Sequence, residues 1–147
     1  MKAAVGSDHA GYTAKLKAIE VLKDLGCEVE DVGTHSEASC DYPDFALAVA
    51  ERVAHGDAEI GVLCCGTGIG MSMAANKVHG VRAGVCHNDF TCEMTRRHND
   101  ANVLCLGSRV VDDRMVENLV RLFVHTPFEG GRHQRRVRKI DDIDRTS

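Results

Sequence analysis

Residues Cys65 to Gly70 form the segment of this chain whose residue types and spacing are best suited to chemistry. Three glycines follow Cys65 within five positions, and a helix is expected to begin just beyond them, near Met71. Glycines let the backbone turn tightly and direct N–H groups at an anion, which the positive end of a helix dipole also attracts. The dinucleotide pattern G-x-G-x-x-G and the lysine of a P-loop are both missing. The segment therefore favours a small anion over a nucleotide, although an ordinary strand-to-helix turn has similar glycines.

Cys65 stands at the entrance of this loop, where backbone N–H dipoles favour a thiolate. An unperturbed thiol has a pKa of about 8.5, and a helix N-terminus can lower that pKa substantially. The alternative is that Cys65 is a small buried residue of the core. Cys64 is expected to point to the opposite face of its strand and to serve packing, because side chains alternate along a strand. Packing is also the interpretation for four other cysteines, three in predicted strands and one in a predicted helix: Cys27, Cys86, Cys105 and Cys92.

Two triplets of identical composition, His87-Asn88-Asp89 and His98-Asn99-Asp100, offer a histidine as an acid or base. Composition does not separate them, and most histidines are structural or lie on the surface. His98 precedes the fifth predicted strand, so it enters that strand at the amino end, away from the ligand crevice of its own chain. A catalytic His98 would therefore serve the site of a partner subunit.

Arg132 and Arg136 are four residues apart and would share one face of a helix, whereas His133 and Arg135 would point elsewhere. Paired arginines present forked N–H donors that suit a phosphate dianion. A solvated basic helix is the commoner meaning of such a run. The turn expected at Gly130-Gly131 favours the phosphate interpretation slightly.

Short apolar runs alternate with amphipathic stretches along the whole chain and indicate an α/β protein. Helical spacing covers about residues 14–25, 44–55, 89–97 and 115–124, and a C-terminal helix is expected over about 130–145. Strands separated by helices imply a parallel sheet covered on both faces. We predict one doubly wound, five-stranded, Rossmann-like domain over residues 1–147. Its strands are predicted at Ala3–Gly6, Cys27–Val32, Ile60–Cys64, Val81–Val85 and Val103–Leu106.

The ligand crevice of such a sheet lies outside the carboxyl ends of its strands. Four polar clusters follow predicted strands and should emerge on that rim. They are Ser7–Gly11, Cys40–Asp44, Cys64–Gly70 and Gly107–Arg109.

Composition excludes several classes of protein. The formal net charge of −4 gives no electrostatic reason to expect nucleic acid as a partner. No apolar run approaches the roughly 20 residues that cross a bilayer, and Asp8 and His9 interrupt the first apolar run too early for a signal peptide. The seven cysteines contain no C-x-x-C pair for a zinc ribbon or redox loop. We expect a cytoplasmic location, since a reducing compartment suits unpaired thiols.

Segments from nearly the whole chain resemble type B ribose-5-phosphate isomerase, of the family shared with the galactose-6-phosphate isomerase subunits. The matching stretches occur in order and are specific when taken together. They are Ser7–Gly11, Asp41–Pro43, Cys65–Gly70, Ala75–Lys77, Gly80–Ala83, Arg97–Leu104, Gly107–Arg109 and Glu129–Val137.

The resemblance implies a role for each matched residue. Cys65 would be the base that moves a proton between C2 and C1, and His98 would assist opening of the furanose ring. Some members use a glutamate instead of the cysteine, but Ala74 and Ala75 offer no carboxylate here. Sugar hydroxyls would bind Asp8 and Asn99, the phosphate would bind His9, Arg109, Arg132 and Arg136, and Gly66, Thr67, Gly68, Ile69 and Gly70 would line the enediolate. The resemblance also implies a homodimer or a dimer of dimers, with the C-terminal helix at the interface, and neither a cofactor nor a metal.

Three alternatives stay open at this point. The first is an isomerase of a six-carbon sugar phosphate, such as allose 6-phosphate or galactose 6-phosphate. A non-catalytic phosphosugar-binding module is disfavoured because it needs neither Cys65 nor His98. A thiol-redox protein is disfavoured because Cys65 has no resolving cysteine at C-x-x-C spacing, although Cys64 is adjacent.

Overall fold

The computed structural model describes residues 1–143, which form one α/β domain. Five strands alternate with six helices, as the sequence predicts. The strands are β1 (Lys2–Ser7), β2 (Glu28–Asp31), β3 (Ile60–Cys65), β4 (Ala83–Val85) and β5 (Val103–Gly107). The helices are α1 (Tyr12–Asp24), α2 (Tyr42–Ala54), α3 (Ile69–Ala75), α4 (Asp89–Arg97), α5 (Asp113–His125) and α6 (Arg132–Asp142).

All strand pairs are parallel, in the spatial order β2-β1-β3-β5-β4, which confirms the doubly wound sheet. The chain moves outward from β1 to β2 and then returns to the other side of β1 with β3. The order therefore reverses between β1 and β3, and ligands of such sheets bind at this point, outside the carboxyl ends. Here β1 ends at Ser7 and β3 ends at Cys65.

Two hydrophobic cores cover the two faces of the sheet. Helices α1 and α5 pack on one face, where the core includes Leu22, Leu104 and Phe123. Helices α2 and α3 pack on the other face, where the core includes Val49 and Met71. This arrangement requires strands that are apolar on both sides, as all six residues of β3 are.

Several predicted boundaries were wrong by one to three residues. Strand β2 begins after Cys27 because the N–H of Cys27 donates to the Leu22 carbonyl and closes α1, with Gly26 at φ +84°. Strand β4 begins at Ala83 rather than Val81, because the Val81 N–H donates to the Val78 carbonyl in a turn. Cys86 follows β4 instead of lying within it, yet it is buried as expected.

Helix α3 begins at Ile69, earlier than the position near Met71 that the sequence suggests. Helix α6 covers 132–142, within the predicted 130–145, and positions 144 and 145 lie outside the described residues. Across residues 1–143, no helix has both the length and the hydrophobicity that spanning a bilayer requires.

Candidate active site

Asp8 and Gly11 bring the first turn of the chain against the end of β3. The N–H of Asp8 donates to the Cys64 carbonyl at 3.2 Å, and the Asp8 carboxylate accepts from the N–H of Gly11 at 2.9 Å. A Cβ on Gly11 would lie 2.2 Å from the Cys64 carbonyl oxygen, so only glycine permits this approach. Asp8 is 8% exposed and lies beside the strand that carries Cys65.

Cys65 and Cys64 face opposite sides of the sheet, as predicted. Cys64 belongs to the core beneath α1 and α5, where burial raises the pKa of its thiol to about 12. Cys65 lies on the other face, is 6% exposed, and accepts a hydrogen bond from the N–H of Gly68 at 3.1 Å. Gly68 has φ +81°, a left-handed conformation that turns its amide back toward the sulfur. A backbone dipole therefore points its positive end at Cys65.

The rest of the loop is fixed by the end of β5. A Cβ on Gly107 would lie 2.7 Å from the Thr67 backbone, so the loop passes directly over this glycine. The N–H of Arg109 donates to the Gly66 carbonyl at 3.0 Å. The guanidinium of Arg109 also lies on Gly66, since a Cβ there would be 3.2 Å from Arg109 Nη1. Arg109 thus places a cation directly beside the Cys65 loop.

His9 lies at the same rim with a defined ring orientation. Its Nδ1 accepts a hydrogen bond from the Cys40 N–H at 3.3 Å. In the neutral ring the proton then resides on Nε2, which becomes a donor for a ligand. His9 and Arg109 are consequently two donors that the fold places near Cys65.

Two neighbours of the loop were not assigned a role from the sequence. Tyr42 covers Gly70 so closely that a Cβ on this glycine would meet the phenol ring at 2.5 Å. His87 places Nε2 3.1 Å from the Thr67 carbonyl oxygen. The position of His87 two residues after the end of β4 was the available signal, because it predicts that His87 lies at the carboxyl rim.

Lys15 anchors the loop that carries Cys40, and the sequence analysis overlooked it. Its ammonium is fully buried and lies 2.8 and 3.0 Å from the two carboxylate oxygens of Asp31. It also donates to the carbonyl of Thr34. Lys15 stands at a position of the amphipathic helix α1 that faces the core, where an apolar residue is expected. Its charge was therefore the one sign in the sequence that this position is unusual.

His98 lies at the opposite edge of the sheet, where α4 ends and the chain approaches β5. Its ring stacks on that of His133, with centroids 4.1 Å apart and planes 10° apart. Glu129 reaches both rings: its carboxylate oxygens lie 3.7 Å from His98 Nε2 and 4.0 Å from His133 Nε2. Burial, followed by the charges of His98 and Arg132, lowers the pKa of His133.

Arg132 and Arg136 lie on α6, and both side chains are exposed, as is Asn99 after His98. His133 turns the other way and packs inward, as its spacing from the arginines predicts. Stacking of His133 on His98 fixes the start of α6 beside the end of α4. Arg132 and Arg136 therefore lie at the same end of the sheet as His98 and not at the end where Cys65 lies.

The predicted site residues form two separate groups. We call Asp8, His9, Cys65–Gly70 and Arg109 the Cys65 edge, and His98, Asn99, Arg132 and Arg136 the His98 edge. Residues Gly61–Cys65 pair with Val103–Gly107, and His98 lies before Val103. At about 3.3 Å per residue, the four steps from Val103 to Gly107 alone separate the edges by roughly 13 Å. One chain does not bring its two groups together.

The chain matches the family model described as Ribose/Galactose Isomerase over residues 3–140. It belongs to this ribose/galactose isomerase family. Ribose-5-phosphate isomerase B of Escherichia coli is 45% identical over 143 residues, covering 97% of this chain and 96% of the relative.

Solved structures of the family agree over nearly the full chain. Ribose-5-phosphate isomerase B of Clostridium thermocellum has a TM-score of 0.97 and 49% identity, covering 99% of both chains. The enzyme of Mycoplasma genitalium, solved with bound ribulose 5-phosphate, has a TM-score of 0.94 and 44% identity, covering 99% of this chain and 97% of that one. The resemblance inferred from the motifs is confirmed.

Proposed function

We propose that this protein interconverts ribose 5-phosphate and ribulose 5-phosphate, with Cys65 as the base. The observation that carries the proposal is the contact of Cys65 Sγ with the Gly68 N–H, beside a loop that also holds Arg109. Membership of the ribose/galactose isomerase family, with a relative solved with ribulose 5-phosphate, supports the same reaction.

The Cys65 edge would carry out proton transfer. In the open-chain aldose the Cys65 thiolate takes the proton from C2 and returns it to C1 by way of an enediolate, in which the hydroxyl proton passes from O2 to O1. Fixed N–H donors of Gly66 to Gly70 would stabilise the charge that develops on the enediolate oxygen, and one such donor typically contributes about 3 kcal/mol. A well-placed general base contributes roughly 10²–10⁴-fold to the rate.

The remaining residues would open and hold the sugar. His98 assists opening of the furanose ring, Asp8 and Asn99 bind hydroxyls, and the phosphate binds His9, Arg109, Arg132 and Arg136. The phosphate anchor fixes C1 and C2 against the sulfur, so its binding energy is used at the reacting centre. The Nε2–H of His9 and the guanidinium of Arg109 lie at the Cys65 edge and supply one half of this anchor.

We further propose a homodimer with shared sites, which the separation of the two edges supports. The His98 edge of one subunit would complete the Cys65 edge of the other, and helix α6 would pack at the interface. A tetramer of this protein would consist of two such dimers. We expect the enzyme to lie in the cytoplasm, where its seven free cysteines stay reduced.

Substrate conversion tests the function directly. Ribulose 5-phosphate formation is measured with a coupled assay on the parent, on Cys65→Ala and on Cys64→Ala, which removes the neighbouring thiol from the opposite face. We expect the Cys65→Ala rate to fall at least about 10²-fold, with an unchanged circular dichroism spectrum. Full activity in Cys65→Ala would remove this thiol from the mechanism.

The second candidate is isomerisation of a six-carbon sugar phosphate, which the family description also covers. Parallel kinetics on ribose 5-phosphate, allose 6-phosphate and galactose 6-phosphate separate the two. A higher kcat/KM on either hexose phosphate would reject the pentose assignment. Binding of all three without turnover would instead indicate a phosphosugar-binding module.

Mixed oligomers test whether sites are shared. Cys65→Ala and His98→Ala chains, each expected to have little activity alone, are denatured, mixed and refolded together. A dimer of one chain of each kind regains one intact site if Cys65 and His98 come from different subunits. Refolded mixtures that stay inactive, while parent protein regains activity under the same treatment, would place both groups in one subunit.

A further inference from the structure

We propose that His98, Glu129 and His133 bind a divalent transition-metal ion such as Zn²⁺, and that the bound ion inhibits the isomerase by holding His98. Two imidazoles and one carboxylate form the donor set of many catalytic zinc sites, which leave a fourth position to water. Nothing in the proposed isomerase chemistry uses a metal here.

The three side chains already lie close to the spacing that an ion requires. One donor atom from each lies within 4.8 Å of the other two. Donors about 2.1 Å from a tetrahedral ion are separated by roughly 3.4 Å, so each pair must contract by less than about 1.5 Å. The glutamate side chain is 47% exposed, so packing constrains its position only in part. The two rings lie nearly parallel, so one of them must also rotate out of the stack before both Nε2 atoms point at the same ion.

The local structure holds the three residues together without the ion. The N–H of Glu129 donates to the Arg97 carbonyl at 3.1 Å, which fixes Glu129 beside the end of α4. The N–H of His133 donates to the Gly130 carbonyl at 3.1 Å and starts α6 against the same point. These backbone contacts hold the three residues near one another before an ion binds, which reduces the conformational freedom that binding must remove.

Some of the charges near this site favour the binding of a cation and others oppose it. The Glu129 carboxylate lies beside both rings and contributes a negative charge that attracts a cation. Arg132 and Arg136 add positive charge on helix α6 and oppose a cation, but both are exposed and screened by salt. Imidazole donors select Zn²⁺, Cu²⁺ and Ni²⁺ over Mg²⁺ and Ca²⁺.

Binding is measured with Co²⁺ as an optical substitute for Zn²⁺ on the full-length protein. We expect visible d–d bands without the near-ultraviolet charge transfer of a cobalt–thiolate bond. Glu129→Gln and His133→Gln should each weaken binding at least tenfold, the lower limit seen even for changes outside the ligand set. His55→Gln, which changes an exposed histidine at the end of α2, should bind as the parent does. Equal affinity in all variants, or a sulfur charge-transfer band, would overturn the site.

Inhibition rests on the proposed function and is measured separately. Zn²⁺ should reduce the isomerase rate of the parent, EDTA should restore it, and the inhibition constant should rise at least tenfold in Glu129→Gln. Inhibition that persists in Glu129→Gln would place the metal on a thiol such as Cys65 and refute the proposal. A metal-free parent without isomerase activity would refute the proposed function instead, and the cobalt titration would still decide the site.

Discussion

Replacing Lys15 by methionine should destabilise the protein far more than its position on a helix suggests. Its ammonium has no exposed surface and is neutralised by one carboxylate, that of Asp31, whose side chain is 30% exposed. The ammonium also binds the carbonyl of Thr34 and lies 5.2 Å from the centre of the Tyr12 ring. Methionine has nearly the same length but none of these polar interactions.

Removing one partner of a buried ion pair costs about 3–5 kcal/mol, because the other charge stays without compensation. Water reaches part of Asp31, so we expect the lower end, about 3 kcal/mol. Lys17 provides a matched control two residues along α1. Its ammonium lies 3.4 Å from Glu20 and 3.8 Å from Glu117, and the glutamate side chains are 71% and 40% exposed. Such surface pairs contribute about 0–1 kcal/mol.

Urea unfolding followed by circular dichroism gives the free energy of unfolding of the parent, Lys15→Met and Lys17→Met. Adding Asp31→Asn to Lys15→Met removes the uncompensated charge while an amide oxygen can still accept from the Gly33 N–H, so part of the loss should be recovered. The reasoning is refuted if Lys15→Met loses no more than Lys17→Met, or if Asp31→Asn makes the loss larger.

Two further predictions concern the loop and the cysteines. In Gly107→Ala the new methyl would lie 2.7 Å from the Thr67 backbone, whereas in Gly84→Ala it would meet only the Thr95 side chain. Steady-state kinetics should therefore show a much lower kcat for Gly107→Ala than for Gly84→Ala, and equal kcat values would contradict this account of the loop. Burial raises the pKa of Cys64 to about 12, so above about pH 8.5 an unfolded thiol releases a proton that the folded one keeps. Stability should fall by up to about 1.4 kcal/mol per pH unit between those values, and the fall measured by urea unfolding should be shallower in Cys64→Ala; identical slopes would disprove the linkage.

The order of strands and helices was predictable because hydrophobic periodicity and glycines carry it locally. Strand β3 is apolar on both faces, which only a sheet covered on both sides allows. Gly26 and Gly56 end their helices at φ +84° and +81°, as expected of residues just after a helix. The predicted strand boundaries were less accurate where side chains or turns compete with the neighbouring strand for backbone hydrogen bonds. The Oδ1 atom of Asn102, for example, accepts a hydrogen bond from the Arg82 N–H at 2.8 Å, just before β4 begins.

The Cys65 edge could also be predicted from the sequence, because residues that follow parallel strands lie together at the carboxyl rim of the sheet. The surroundings of His98 could not. Its contacts with Glu129 and His133 join segments separated by more than 30 residues, through a linker and a helix start without a periodic signal. Lys15 was missed for a related reason. Its partners Asp31 and Thr34 lie in a strand end and a loop, and only the folded chain shows that they surround an apolar position of α1.

The division of the site into two edges has a physical basis in the sheet. Parallel strands direct all their carboxyl ends to one rim, so Cys65 with its glycine loop, His9 and Arg109 arise from local turns at that rim. His98 and the two arginines are instead carried by the end of α4 and by α6, which the crossovers place at the other rim. Bringing them to Cys65 within one chain would require crossing roughly 13 Å of sheet. A second copy removes that requirement, because a two-fold axis can place the His98 edge of each chain against the Cys65 edge of the other. Assembly would then be a condition for catalysis, and separated subunits would keep their fold and lose their activity.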